Sequence, residues 1–341
     1  MQAWQISNIR QIEKVDRTES LTDMDSVKLR ITKTLLTSED AVTYLGEDKK
    51  VKYPIIPCTA AIGVINELPA ESPEFEKGTR VYVSSVRNCG KCPHCVNSRP
   101  EFCYEFSVAG KTRDGFLKDF AVVSASDVYV LPQSIRDEDA IYIELIKLAL
   151  SAIDKLKIEK GQHVAVIGGT LLGSIIAQLI IYFQGVPILL DSSDEKLNLA
   201  ADAGVYYTVN STNNAEKEVS DITGGRMAPK VILIARSGES FDLAFRLAAP
   251  TASVAFVGFS FPDVELSFQD ALEKRLNLFS VKTGYGNSES AINMLANKAV
   301  NLSGYSVPVT DTKDIEKNFE RMAEEFEKNK TVSPIIVNMI G

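Results

Sequence analysis

From about Gly161 to Gly284 the chain alternates short apolar runs with helical patterns: His163–Ile167, Leu171–Phe183, Ile188–Leu190, Glu195–Ala203, Val231–Ile234, Phe241–Leu247 and Ala252–Val257. Strands separated by helices need right-handed crossovers, and these build a parallel sheet with helices on both faces. The zone before it, to about residue 150, carries short β-branched runs instead: Val27–Thr32, Ile62–Ile65, Arg80–Val83, Phe120–Val123 and Val128–Leu131. That zone is expected to be β-rich. At the far end, Asp314–Lys328 spaces Ile315, Phe319, Met322 and Phe326 at helical intervals. A last strand-like run, Ser333–Met339, follows, and its Ile335, Ile336 and Val337 are expected to rejoin the first zone. A length of 341 residues suits two domains of about 100–200 residues each.

Composition narrows the classes of function. Subtracting 45 acidic residues from 37 basic ones leaves a net charge of −8, which repels phosphate backbones and anionic lipid. No nucleic-acid partner and no membrane partner is expected. The most apolar stretch, Leu171–Phe183, is broken by Gly173, Ser174 and Gln178 and falls short of the ~18 residues a membrane span needs. The N-terminal MQAWQISNIR lacks the apolar run of a secretion signal, so a cytoplasmic location is expected, where clustered cysteines suggest metal before disulfides.

Four of the five cysteines, Cys89, Cys92, Cys95 and Cys103, form C-x2-C-x2-C-x7-C. Tetrahedral zinc takes four soft ligands, and a tight loop with three thiolates and a fourth shortly after supplies them. A bacterial ferredoxin run would place the fourth cysteine after three residues with proline behind it, whereas Tyr104 follows here. Free or disulfide-bonded thiols are the bland alternative. Four thiolates leave zinc no open position, so one structural site is expected, with His94 outside its shell.

After the strand candidate HVAVI comes Gly168-Gly169-Thr170-Leu171-Leu172-Gly173, opening an apolar helix. Such a turn lets backbone N–H groups approach a pyrophosphate and packs the helix against the strand. Thr170 stands where the motif has its middle glycine, and its hydroxyl is a candidate phosphate donor. Asp191, at the end of the next strand candidate, is placed to accept from an adenosine ribose, which favours NAD(H) over NADP. A ligand-free strand–helix turn is the alternative. Arg236, after Val231–Ile234, falls where strand ends line a cofactor crevice. There it would meet the cofactor or an anionic substrate, or form a surface salt bridge.

These features, together with Gly63-Val64-Ile65, Lys77-Gly78-Thr79-Arg80-Val81, Asp114-Gly115-Phe116 and Lys274-Arg275-Leu276, resemble the medium-chain dehydrogenase/reductase family. Within it the chain is similar to the zinc-type alcohol and polyol dehydrogenase branch. The resemblance implies an α/β protein with a GroES-like β-rich catalytic domain, residues 1–150 and 304–341, holding the zinc lobe 87–104. It also implies a doubly wound Rossmann dinucleotide-binding domain, residues 151–303, a small-molecule substrate, and a homodimer or homotetramer.

The resemblance equally marks a departure. The family's first catalytic zinc ligand, a cysteine, falls on Thr37 of Thr37-Ser38-Glu39-Asp40, and its histidine ligand falls on Thr59, followed by Ala60. Glu144 alone matches a ligand position, and one carboxylate cannot hold a catalytic zinc. Candidate catalytic residues are therefore Glu39 as a general acid or a structural ion-pair partner, Tyr44 as a donor or packing residue, Thr37 and Thr59 as substrate hydrogen-bonders or fillers, and Glu144. The expected activity is NAD(H)-dependent hydride transfer to an activated C=C or C=O group. The alternatives are a polyol or polyol-phosphate dehydrogenase with a metal site rebuilt from Cys58, Glu39 and Glu144, and a non-catalytic dinucleotide-binding sensor or assembly protein.

Overall fold

The computed structural model describes residues 1–21, 25–69, 75–258, 268–305, 307–328 and 332–339. Two compact units emerge, Met1–Glu144 with Val307–Gly341, and Leu145–Ser306.

The first unit opens on a hairpin, β1 (Gln2–Asn8) and β2 (Gln11–Asp16), followed by β3 (Ser26–Leu36), α1 (Ser38–Leu45), β4 (Ala60–Glu67) and β5 (Arg80–Val83). The lobe lies between β6 (Val86–Arg87) and β7 (Ser107–Val108), which pair with each other, and contains a short α-helix, α2 (Pro93–Val96), and a 3-10 turn at Pro100–Phe102. Then come β8 (Phe120–Ser124), β9 (Val128–Val130), α3 (Asp137–Ala140) and α4 (Ile143–Leu156), within which the unit boundary falls.

The second unit strings β10 (His163–Ile167), α5 (Leu171–Tyr182), β11 (Val186–Asp191), α6 (Asp194–Asp202), β12 (Tyr207–Asn210) and α7 (Ala215–Ile222). It continues through β13 (Ala228–Leu233), α8 (Gly238–Leu247), β14 (Ala248–Val257), α9 (Gln269–Glu273), β15 (Asn277–Val281) and α10 (Ser288–Ala296). The chain then returns to the first unit with β16 (Val309–Asp311), α11 (Ile315–Glu327) and β17 (Ile335–Asn338).

In the first unit the main sheet runs β16-β17-β3-β4-β5-β9, with β8 also on β3. Ile335 and Ile336 pair with Leu36 and Leu35, so the C-terminal run does rejoin the first zone. The core holds Leu29, Ile31, Phe116 and Val337, closed by Phe319 and Met322 from α11. Those two residues come from the helical spacing read in the sequence.

The second unit is a six-stranded parallel sheet in the order β12-β11-β10-β13-β14-β15. Val164, Ala165, Val166 and Ile167 of β10 are all buried, as in a strand covered on both faces. His163 opens this strand. The order reverses between β10 and β13, which places the crevice of a doubly wound sheet at the carboxyl ends of those two strands. Among the described residues no helix is long and apolar enough to cross a membrane.

Candidate active site and metal centre

The lobe brings its four sulfurs together. Their Sγ atoms all lie within 4.8 Å of one another. Cys89–Cys103 and Cys92–Cys95 are separated by 3.5 and 3.6 Å. Zinc–thiolate bonds of about 2.3 Å set tetrahedral sulfur separations near ~3.8 Å, so the donor set fits one closed site. Backbone N–H groups of Cys89 and Glu105 point at the Cys103 sulfur, each at 3.3 Å, and that of Cys92 points at Cys89, also at 3.3 Å. Such bonds stabilise negative sulfur. Pro93 starts α2 directly after Cys92, turning Cys95 back toward the centre. The His94 ring packs on Tyr104 and Phe102, at centroid distances of 5.0 and 6.1 Å, and stays outside the ligand set.

The crevice of the second unit is shaped by glycine. Gly168 follows β10 at φ +120°, a conformation that side chains resist. A methyl group on Gly173 would lie 1.9 Å from the Gly168 carbonyl oxygen, so α5 can approach the strand only without a side chain there. Thr170 caps α5: its Oγ1 accepts from the Gly173 N–H at 3.4 Å. Its own hydroxyl proton then remains a donor toward a phosphate at the helix N-terminus. Leu171 and Leu172 are half-buried in the first turn.

Asp191 ends β11 and braces this loop. Its Oδ2 accepts from the Gly169 N–H at 2.7 Å and its Oδ1 from the Ser193 N–H at 2.9 Å. Lys196 stands beside it, with Nζ–Oδ1 at 3.4 Å. Lys196 escaped the sequence reading, although its place in the first turns of α6, just after the acidic strand end, was a usable signal. Arg236 sits half-buried between β13 and the Ser237 cap of α8, at the carboxyl edge of the sheet. The cradle fits a dinucleotide.

The catalytic-metal positions of the first unit are otherwise engaged. Thr37 closes a capping box at the start of α1: its N–H donates to Asp40 Oδ2 at 2.8 Å, and its Oγ1 accepts from the Glu39 N–H at 3.3 Å. The other oxygen of Asp40 takes the Cys58 N–H at 2.8 Å. Thr59 is buried just before β4. Glu39 forms an ion pair with Lys111, Oε2–Nζ at 3.1 Å, with the two side chains only 14% and 5% exposed. Lys111 also donates to the Glu39 carbonyl at 2.7 Å and to Thr43 Oγ1 at 3.0 Å.

Tyr44, a candidate proton donor in the sequence, gives its hydroxyl to the Arg10 carbonyl at 3.0 Å and packs its ring 5.3 Å from Phe319. Cys58 is fully buried, and burial followed by the Asp40 charge pushes its thiol well above the usual range. A thiol held neutral makes a poor metal ligand. Among the described residues, the four lobe cysteines are the one group of three or more Cys, His, Asp or Glu side chains whose ligand atoms converge. Cys58, Glu39 and Glu144 do not form such a group among the described residues.

Glu144 heads α4 and is gripped from the sheet. Ser85 Oγ donates to its Oε1 at 2.7 Å, and the Tyr82 hydroxyl donates to its Oε2. Neither partner was visible in the sequence, since |i−j| is 59 and 62 for these bonds.

A glycine-cradled crevice on a parallel sheet, in a chain that also carries a β-rich unit with a cysteine lobe, defines a dinucleotide-dependent oxidoreductase of the zinc-lobed type. Two family models agree: the alcohol dehydrogenase GroES-like domain matches residues 23–133 and the zinc-binding dehydrogenase model matches residues 172–300. The chain belongs to the zinc-type medium-chain dehydrogenase/reductase family, the alcohol dehydrogenase-like oxidoreductases.

Among curated proteins it is similar to the starvation-sensing protein RspB of Escherichia coli strain K12, 27% identical over 278 residues and 81% of each chain. It is also similar to galactitol 1-phosphate 5-dehydrogenase of the same strain, 25% identical over 266 residues, 76% of this chain and 77% of that one. The solved structure of RspB from E. coli CFT073, in complex with NADH, shares the fold with a TM-score of 0.86 over 99% of both chains, at 23% identity.

Proposed function

We propose that this protein is an NAD(H)-dependent oxidoreductase that moves hydride to or from an activated C=O or C=C group of a small molecule, with one structural zinc and no catalytic zinc. The observation that carries the proposal is the state of the three inherited ligand positions. Thr37 is spent on a helix cap, Thr59 offers a buried hydroxyl, and Glu144 is held by two hydroxyl groups. Lys111, an internal cation, compensates the acidic first turn of α1 through Glu39.

Bound dinucleotide supplies the hydride. The chain contributes the rest: the Gly168–Gly173 turn and the α5 N-terminus receive the pyrophosphate, and Asp191 with Lys196 receives the adenosine ribose. Without a metal to polarise the carbonyl, the enzyme relies on placement and on a proton-carrying side chain, each able to lower the barrier by several kcal/mol. Relatives whose names specify galactitol 1-phosphate and sorbitol make polyols and their phosphates the first compounds to test. Reduced cysteines used as a metal site suit the cytoplasm. Pairing of Rossmann sheets, as the family resemblance implies, suits a homodimer or homotetramer.

Elemental analysis of protein purified without added metal or chelator is expected to give one zinc per chain. A second equivalent would overturn the metal-free reading and favour a polyol dehydrogenase with a catalytic metal. Stereospecific deuteride transfer from labelled NADH separates the enzyme from a non-catalytic sensor, which would bind NADH and transfer nothing.

The choice of NAD(H) is tested at Asp191. Its carboxylate would repel the extra phosphate of NADP, so Asp191→Ala is expected to narrow the NADH-over-NADPH affinity ratio about tenfold, ~1.4 kcal/mol. Fluorescence titration with both cofactors reads this directly. An unchanged ratio means that Asp191 braces the glycine loop and does not read the ribose.

A further inference from the structure

We propose that the cysteine lobe is a reversible oxidation site, in which a peroxide converts the couples Cys89–Cys103 and Cys92–Cys95 into two disulfides and frees the zinc, while the base of the lobe stays folded. This rests on the structural-zinc part of the reading above and goes beyond it.

The lobe is held by sulfur where most loops of its length are held by apolar packing. From Asn88 to Phe106, Cys103 is the one buried residue, and the large apolar side chains Val96, Phe102 and Tyr104 are exposed. A segment of this kind takes its folding free energy from metal–thiolate bonds. Cys89, Cys92 and Cys95 are only partly buried, so a small oxidant has access to them. Cys58 is fully buried in the core of the same unit and is the internal control.

The four sulfurs fall into two couples with different places in the chain. Cys89 and Cys103, 3.5 Å apart with |i−j| = 14, stand just inside β6 and β7 and clasp the two arms of the lobe. Cys92 and Cys95, 3.6 Å apart with |i−j| = 3, flank the first turn of α2 in the middle of the loop. Sharing one metal is what ties the second couple to the first.

In each couple one thiolate attacks an oxygen of the peroxide. An S–O bond forms, the O–O bond breaks and hydroxide leaves, which gives a sulfenic acid. The second thiolate then attacks that sulfur: the S–S bond forms, the S–O bond breaks and a second hydroxide leaves. The couple is oxidised by two electrons and one hydrogen peroxide is reduced to two hydroxides. Two couples consume two peroxides and lose all four thiolate charges, so the site no longer holds a dication. A dithiol reductant reverses both disulfides by exchange.

The base does not depend on sulfur. Val86 pairs with Val108 and Arg87 with Ser107. The Ala109 N–H donates to the Ser85 carbonyl at 2.8 Å, and Arg87 bonds Asp127 at 2.9 Å. Val86, Val108 and Ala109 are buried, and a Cys89–Cys103 disulfide keeps the arms closed above them. The backbone bonds of α2 are local instead, Val96 N–H to the Cys92 carbonyl at 3.0 Å and Asn97 N–H to the Pro93 carbonyl at 3.1 Å. Oxidation therefore loosens α2 and spares the β6–β7 pair.

The test uses the full chain as purified, with its zinc content measured first, and hydrogen peroxide as the probe. A chromogenic chelator is expected to register zinc release complete at about two peroxides per zinc. Tandem mass spectrometry of the digested protein is expected to find Cys89–Cys103 and Cys92–Cys95 linked and Cys58 a free thiol. Dithiothreitol followed by zinc is expected to restore one bound zinc. In hydrogen exchange of the oxidised chain, the amides of Val96 and Asn97 are expected to exchange on the order of tenfold faster or more, while that of Ala109 keeps its protection. The variant Cys92→Ser with Cys95→Ser removes the α2 couple and is expected still to form the Cys89–Cys103 disulfide with Ala109 protected.

Disulfides that cross the couples overturn the pairing, and loss of protection at Ala109 overturns the surviving base. Sulfinic or sulfonic acids that dithiothreitol does not reverse overturn the reversible site. A chain that carries one zinc and keeps it, with four thiols, under peroxide removes this proposal alone. A chain that purifies with no zinc and takes up none removes the structural-zinc reading and this proposal with it.

Discussion

Gly173→Ala is expected to weaken NADH binding on the order of 100-fold, about 2.8 kcal/mol. The added methyl would lie 1.9 Å from the Gly168 carbonyl oxygen, and Gly168 itself sits at φ +120° with Ile234 and Ala235 against its other side. The loop cannot retreat that way, because a Cβ placed on Gly168 would already stand 3.1 Å from the Ala235 nitrogen. Relief must come from α5 moving off β10, which shifts the capped N-terminus and the Thr170 hydroxyl away from the pyrophosphate position. Overpacking of this kind also costs about 1–3 kcal/mol of stability. Titration calorimetry with NADH checks the affinity, and zinc content serves as the control, since the lobe belongs to the other unit. Unchanged affinity with one zinc retained would mean that the pyrophosphate is not held at this turn.

Features that depend on neighbouring residues were legible in the sequence. β10 and the glycines that follow it lie within a few positions of one another, and the cysteine lobe spans one loop. The absence of cysteine and histidine at Thr37 and Thr59 could be read because a family motif fixes their places. The capping box was also legible as Thr37-Ser38-Glu39-Asp40, a threonine with an acid three residues on. The β1–β2 hairpin went unread because β2, QIEKVD, has mostly polar residues and only half-buried apolar ones. β15 was missed for a similar reason: Asn277 and Leu278 are exposed on an edge strand, which blurs the apolar run. The bonds that define the candidate site are long-range. Lys111 reaches Glu39 across |i−j| = 72, and no local pattern announces such a pairing.

Lys111→Met is expected to destabilise the first unit by about 3–5 kcal/mol, the cost of stripping one partner from a buried ion pair. The substitution keeps most of the side-chain volume, so the loss is electrostatic: the Glu39 carboxylate and carbonyl and the Thr43 hydroxyl all lose the same ammonium. Trp4 is the only tryptophan of the chain and lies in the core of this unit, so its fluorescence during urea unfolding reports the right transition. The double variant Lys111→Met with Glu39→Gln is expected to recover part of the loss, because no unpaired buried charge remains at Glu39.

Asp40 supplies the pH dependence. Burial raises its carboxyl above the usual range, and Lys111 is the largest influence holding it down. A carboxyl raised in the fold contributes stability that is complete below its unfolded value, near ~3.9, and is lost as pH climbs through the folded one. Removing Lys111 raises the folded value further and deepens that loss. The gap between wild type and Lys111→Met is therefore expected to be smaller at acid pH, close to the unfolded carboxyl value of ~3.9, than at neutral pH. A gap of equal size at both would show that Lys111 acts through packing and not as the cation of the site.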